Sequence, residues 1–282
     1  MAETNKTPIR PVQARKWSSL RLAGTAAGLM VAGAAAAAGA KTVPMPGLQG
    51  LWLVQAAGVE GGEGGEGGAA AVRADDKADL LVALTKIEAH ILTGLDLQAA
   101  GQAEAAAEQL GVPKAEIYGT IAAALDSYKA PAFAAALEAL SAAGQAGKSA
   151  AELAQAHVAV QAGLEAARVA IAPMPKEELA AVLALTREAA QDFSAGVKDG
   201  EIAELGEYQD ARAYLLAAGE TLARLAGSDD AVVKKAAEKS AAALDEVTSA
   251  LPGVAPEGAV TAEEAQFLAA AAKVELAIYP VR

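Results

Sequence analysis

The chain has 282 residues, 54% of them hydrophobic but only 4% aromatic, and no cysteine. Those numbers exclude a disordered chain, disulfides, thiolate metal sites and cysteine nucleophiles. The net charge of −12 is uneven: residues 1–40 carry Lys6, Arg10, Arg15, Lys16 and Arg21 against Glu3, so the rest of the chain carries −16. An acidic body of this kind repels nucleic acid and anionic membrane surfaces and attracts cations or a basic partner.

Residues 1–40 read as an export segment. A basic stretch to Arg21 is followed by an uncharged run from Leu22 to Ala40, closed by the small residues Ala38-Gly39-Ala40. A cleaved signal peptide has this layout. The rival is an uncleaved membrane anchor, because the run is just long enough to span a bilayer. In both cases the positive flank stays inside and the body is delivered across the membrane, into the periplasm or tethered at its face. Residues 41–72 follow as a tether and linker. Leu48, Leu51, Trp52, Leu53 and Val54 form a short apolar patch, and Glu60, Glu63 and Glu66 stand among paired glycines. Glycine's backbone freedom makes that run flexible.

Residues 73–282 are expected to be all-α, an antiparallel bundle of about eight helices. Asp75-Asp76 caps the first, whose inward stripe is Leu80, Leu84, Ile87, Ile91 and Leu95, with Gly94 bending or ending it. A second, alanine-rich helix runs over Leu97–Leu110 and stops at Gly111-Val112-Pro113. Pro113 opens a third and Pro131 a fourth. Ser149-x-x-Glu152 is a capping box for a helix reaching Ile171, with Leu153, His157, Val160 and Leu164 facing inward. Pro173 and Pro175 separate it from the next helix, which carries Leu179, Val182, Leu183 and Phe193. Helices follow over Leu205–Leu225 and Asp230–Leu251, and Thr261-x-x-Glu264 caps a last one to Ile278. No segment alternates as a strand would. Short connections favour antiparallel neighbours.

Few residues suggest chemistry. His90 and His157 both fall on or beside apolar stripes. Brought together, they would make a two-histidine site in a bundle core, with Glu88, Glu207 or Asp210 adding oxygen ligands for iron or another divalent cation. The plain alternative is two buried histidines bonded to backbone carbonyls. Glu207 and Asp210 are spaced i, i+3 and share a helix face, as solvated acids also do. No Gly-x-Ser-x-Gly elbow, phosphate-binding loop or His-Glu-x-x-His motif occurs, so a non-enzyme is expected.

Asp192-Phe193, Gly196-Val197, Asp199-Gly200, Ile202, Glu207-Tyr208-x-Asp210 and Ala211 mark a helix end, an acid-glycine turn and a new helix start. This corner resembles the extracytoplasmic helical region of bacterial iron permeases of the FTR1 type. The Arg-Glu-x-x-Glu motif of that family's membrane helices is absent. The resemblance therefore implies at most an accessory periplasmic module that handles iron, rather than a permease. Of an exported bundle without enzyme motifs, binding to a protein partner at the membrane or in the periplasm is expected.

Overall fold

The computed structural model describes residues 71–281. The expected export segment and all of the tether and linker except its last two residues lie outside them.

Among the described residues there are nine α-helices, joined by short connections except for the longer 249–263 loop before the last. Helix α1 (Lys77–Ala99) starts where Asp76 accepts a hydrogen bond from the Asp79 backbone. It runs straight through Gly94. A Cβ there would stand 2.7 Å from Leu110 Cγ, so this glycine lets α1 and α2 approach closely instead of ending α1. Helix α2 (Ala103–Val112) does not stop at Pro113 as expected. Proline lacks the N–H for an i→i−4 bond, and the chain absorbs the loss by widening for one turn over Pro113–Ile117, where the Tyr118 N–H reaches back to the Pro113 carbonyl. Helix α3 (Tyr118–Ser127) then continues the same rod.

Helix α4 (Ala134–Gln145) precedes α5 (Ala150–Ile171), whose capping box at Ser149 and Glu152 forms as expected. Ala172 turns left-handed at φ 45°, and its carbonyl accepts from Lys77 Nζ at 3.1 Å. Helix α6 (Pro175–Gly196) opens on proline, with Glu177 accepting from the Met174 N–H. The expected turn at Asp199-Gly200 is a small hairpin, a correction to the strand-free expectation. Strands β1 (Val197–Lys198) and β2 (Glu201–Ile202) pair antiparallel around two residues with positive φ, 51° and 78°. Asp-Gly is a preferred pair for such a turn, because its twist matches that of the strands.

Helix α7 (Leu205–Leu225) has the expected bounds, and α8 (Ala231–Thr248) follows a cap at Asp230. Helix α9 (Glu264–Ile278) starts later than expected: the Gln266 side chain accepts from the Glu263 N–H, in place of the anticipated Thr261 and Glu264 box.

Two large apolar clusters fill the described body, with a small third one of Leu97, Ala106 and Val254. One joins α1 to α3, α4 and α5 through Leu84, Ile87, Ile121, Leu140, Leu153 and Val160. The other lies among α6, α7, α8 and α9, where Phe193 stacks on Phe267 at 4.3 Å. Helix α1 belongs to both. Leu80, Leu84, Ile87 and Ile91 occupy one side, and Val82 and Ala89 meet the second cluster from the opposite side, as the 3.6-residue repeat requires.

Candidate functional site

The polar residues gather where α1 crosses α6 and α7. Each helix supplies a pair spaced i, i+4, which places both members on one face. Lys86 and His90 come from α1, Glu188 and Asp192 from α6, and Asp210 and Tyr214 from α7. Lys86 pairs with Glu188 at 2.5 Å, and its ammonium lies 5.1 Å from the centre of the Tyr214 ring.

Behind this face runs a directed chain of hydrogen bonds. Tyr214 Oη donates to His90 Nε2 at 3.3 Å. His90 Nδ1 donates to Gln109 Oε1 at 2.7 Å. Gln109 Nε2 donates to Gln209 Oε1 at 3.4 Å, and Gln209 Nε2 to the Val254 carbonyl at 3.1 Å. His90, Gln109 and Gln209 are buried, where an unmade hydrogen bond is costly. The amide oxygen of Gln109 can only accept, so the proton sits on His90 Nδ1 and the lone pair of Nε2 receives the phenol. Burial and the surrounding carboxylates raise the Tyr214 phenol, which stays protonated as a donor.

The acids stand on the other side of His90. Asp210 Oδ1 lies 3.4 Å from His90 Nδ1, whose proton is already directed at Gln109. This oxygen is buried with no hydrogen-bond partner among the described residues. Burial raises the Asp210 carboxyl and Glu207 adds to the rise, while His90 and the Gln109 amide oppose it. Asp192 is pushed up to about 8, first by burial and then by Glu188, Glu207 and Asp210, with only Lys86 acting against them. With so little compensating charge, Asp192 holds its proton at neutral pH.

The five residues proposed from sequence fall in two places. His90, Asp210 and Glu207 belong to this cluster, Glu207 at its exposed edge. His157 and Glu88 lie on the α5 side of α1, two residues of helix turn away from the face that holds His90. Glu88 accepts from Arg168 at 2.8 Å. His157 is buried, its Nε2 without a partner among the described residues, and burial lowers its pKa against a smaller opposing effect of Glu88. Among the described residues no three of His, Asp or Glu are set to hold a metal ion. Sequence reasoning passed over Gln109, Gln209, Lys86 and Glu188. The available signal was polar residues inside apolar stripes, Asp192 among Ala189, Ala190 and Phe193 being the clearest.

The corner that introduces Asp210 is anchored by backbone. A Cβ at Gly196 would stand 2.5 Å from the Tyr208 nitrogen, so only glycine lets α6 and α7 meet there. Tyr208 is fully buried and its hydroxyl donates to the carbonyls of Pro252 and Gly253 at 3.1 and 3.2 Å. Val260 N–H closes the same loop onto the Gly200 carbonyl at 2.8 Å.

Residues 172–279 match the family model of the iron permease-associated 4-helix bundle domain. The match spans α6 to α9 and contains the helix corner whose resemblance to iron permeases was noted in the sequence. No curated protein and no solved structure matches the chain. No helix among the described residues is long and apolar enough to cross a membrane.

Proposed function

We propose that this protein is a non-enzymatic accessory subunit of iron uptake, exported or tethered at the membrane, that binds a protein partner working with an iron permease. The observation that carries the reading is the match of α6 to α9 to an iron permease-associated domain. The polar chain supports the non-enzymatic part: Tyr214, His90, Gln109 and Gln209 spend their donors on one another and end on a backbone carbonyl. That pattern positions helices and holds no nucleophile beside a base facing substrate. The test is deletion of the gene in its native host, with iron uptake measured and the iron permease sought by crosslinking to the full chain. Reduced uptake and a crosslink to the permease are expected. Unchanged uptake together with no crosslink would sink the proposal.

A second reading, binding of iron or another divalent cation, is favoured by the buried, unpartnered Oδ1 of Asp210 beside Asp192. In this reading Asp210 and Asp192 are two ligands and water completes the shell, because no three acids or histidines among the described residues are set around one point; His90 joins only if it gives up Tyr214. His157 and Glu88 would belong to a separate locus. Equilibrium dialysis of the full chain against ferrous and ferric ion tests it. Stoichiometric binding that Asp192→Asn/Asp210→Asn abolishes is expected; binding unaffected by that variant removes the reading.

A further inference from the structure

A groove of about 790 Å³ runs along the outer side of α7 between α1 and α8. Its floor is built from small residues of α7, among them Ala213, Gly219 and Ala223, with Leu216 left 44% exposed. A Cβ added at Gly219 would meet nothing within 4 Å. The floor at Gly219 is therefore open space, unlike the tight positions at Gly94, Gly144, Gly163 and Gly196. From Arg212 to Ala226 it extends roughly 20 Å, at 1.5 Å per residue.

The two walls are helix faces with the same spacing. Thr93 and Asp96 on α1, and Ala241, Ala242 and Asp245 on α8, sit at helical intervals and put acids at the rim. Glu220 and Glu238 add to them. Arg212 is the rim's basic residue and leans toward Asp96 at 4.0 Å. Glu220, Glu238 and Asp245 are thus in excess along the α7 and α8 side. An apolar strip bordered by one sign of charge selects its partner by both features.

We infer that this groove is a docking site for one amphipathic, basic helix of a partner protein, with large aliphatic side chains against the α7 floor and Lys or Arg facing Glu220, Glu238 and Asp245. Three features favour a helix. The groove is about four helical turns long, a small-residue floor complements large side chains, and flanking helices offer ridges for a fourth to pack between. A second copy of this acidic body does not match the rim's charge. The inference rests on the partner-binding reading and names the surface for it.

The test uses the full chain and three fluorescent 18-residue peptides, followed by anisotropy at physiological salt. One has Leu at i, i+3, i+4 and i+7 with Lys on its flanks, the second replaces Lys with Glu, and the third scrambles the first. The Lys peptide is expected to bind at least tenfold more tightly than either control. Gly219→Leu, whose Cβ meets nothing within 4 Å and whose side chain projects into the groove, and Glu238→Lys/Asp245→Lys should each weaken it tenfold or more while circular dichroism stays unchanged. Equal binding of the scrambled peptide, no binding by any peptide, or an unaltered affinity in Gly219→Leu overturns the inference. Self-association of the chain that Gly219→Leu abolishes also overturns it, in favour of a second copy. The crosslink to the permease tells the two proposals apart. If it persists in Gly219→Leu, partner binding stands and the groove falls. If peptide binding holds without any crosslink, the groove stands and the permease association falls.

Discussion

Helices α1 to α5 and helices α6 to α9 are made from similar alanine-rich sequence, yet they use their small residues in opposite ways. In the first set a glycine receives a neighbour's side chain. Gly94 and Gly144 both face Leu110, and Gly163 faces Phe133, where a Cβ would stand 2.4 Å from the Phe133 Cβ. In the second set Gly196 receives backbone, the nitrogen of Tyr208 and the carbonyl of Glu204. The end of a side chain, such as Leu110 Cδ1 at 2.9 Å from a Cβ on Gly144, can swing and backbone in a helix cannot, so Gly196 tolerates less than Gly144. The second set also holds most of the aromatic packing, while the first set relies on aliphatic residues around the single ring pair Tyr118 and Phe133. Buried polar groups are divided between the two, with His90, Gln109 and His157 in the first set and Thr186, Gln209 and Ser240 in the second.

The sharpest break in this comparison is a paired glycine test. Gly196→Ala should cost about 3 kcal/mol or more, because overpacking here meets rigid backbone. Gly144→Ala should cost about 1–2 kcal/mol, because the Leu110 Cδ1 that would stand 2.9 Å from the new Cβ can rotate away. Denaturant midpoints of the two variants decide; equal losses would dissolve the distinction.

Next is the acid cluster. The folded pKa of Asp192 is about 8, well above the unfolded value of about 3.9. Between those values the folded state binds more protons than the unfolded, so this residue's contribution is fully present below about pH 4 and is lost as pH rises to about 8. Asp192→Asn should remove that slope and add on the order of 1–2 kcal/mol at pH 8.5, less than the full linkage value because the carboxyl keeps some solvent. Urea melts at pH 5 and 8.5 check it. A variant that is no more stable at the higher pH would mean that solvent already satisfies the carboxylate.

Tyr208→Phe removes the hydroxyl that donates to Pro252 and Gly253. A loss of about 1 kcal/mol is expected, with faster amide exchange in the 249–263 loop; unchanged exchange would show that the loop is held by other contacts. The smallest effect lies at α5. His157 has its pKa lowered by burial, so the stability it permits is present above about pH 6.5 and falls as protonation is forced below it. His157→Leu removes a buried nitrogen without a partner and should be neutral at pH 8 and gain up to about 1 kcal/mol at pH 5. Destabilisation at both values would assign His157 a packing role that leucine cannot fill.

The fold was legible wherever a local rule governs a short stretch. Ser149 and Glu152 cap α5, Pro175 opens α6, and Leu205–Leu225 is a helix because its apolar residues repeat at 3.6. Asp199-Gly200 announced a turn, although its hairpin pairing went unread because two-residue strands leave no alternation. Pro113 misled, because the rule that proline starts a helix competes with a π-turn that tertiary packing makes affordable. The site was half legible. His90, Glu207 and Asp210 were noticed as residue types, but which faces meet depends on contacts of α1 with α6 and α7, where Lys86 meets Glu188 102 residues on and His90 meets Tyr214 124 residues on.

The amino-acid sequence by itself determined the helical class, most helix bounds and the kinship of the Asp192–Tyr214 corner, because propensity, capping and periodicity act within a few residues. Only the tertiary structure decided that His90 keeps company with Gln109 and Asp210 while His157 stands beside Glu88. It alone decided that Gly94 and Gly196 are contacts and that Gly219 is open floor. A glycine looks the same in every helix; what would meet its missing Cβ is set by the neighbour that long-range packing brings.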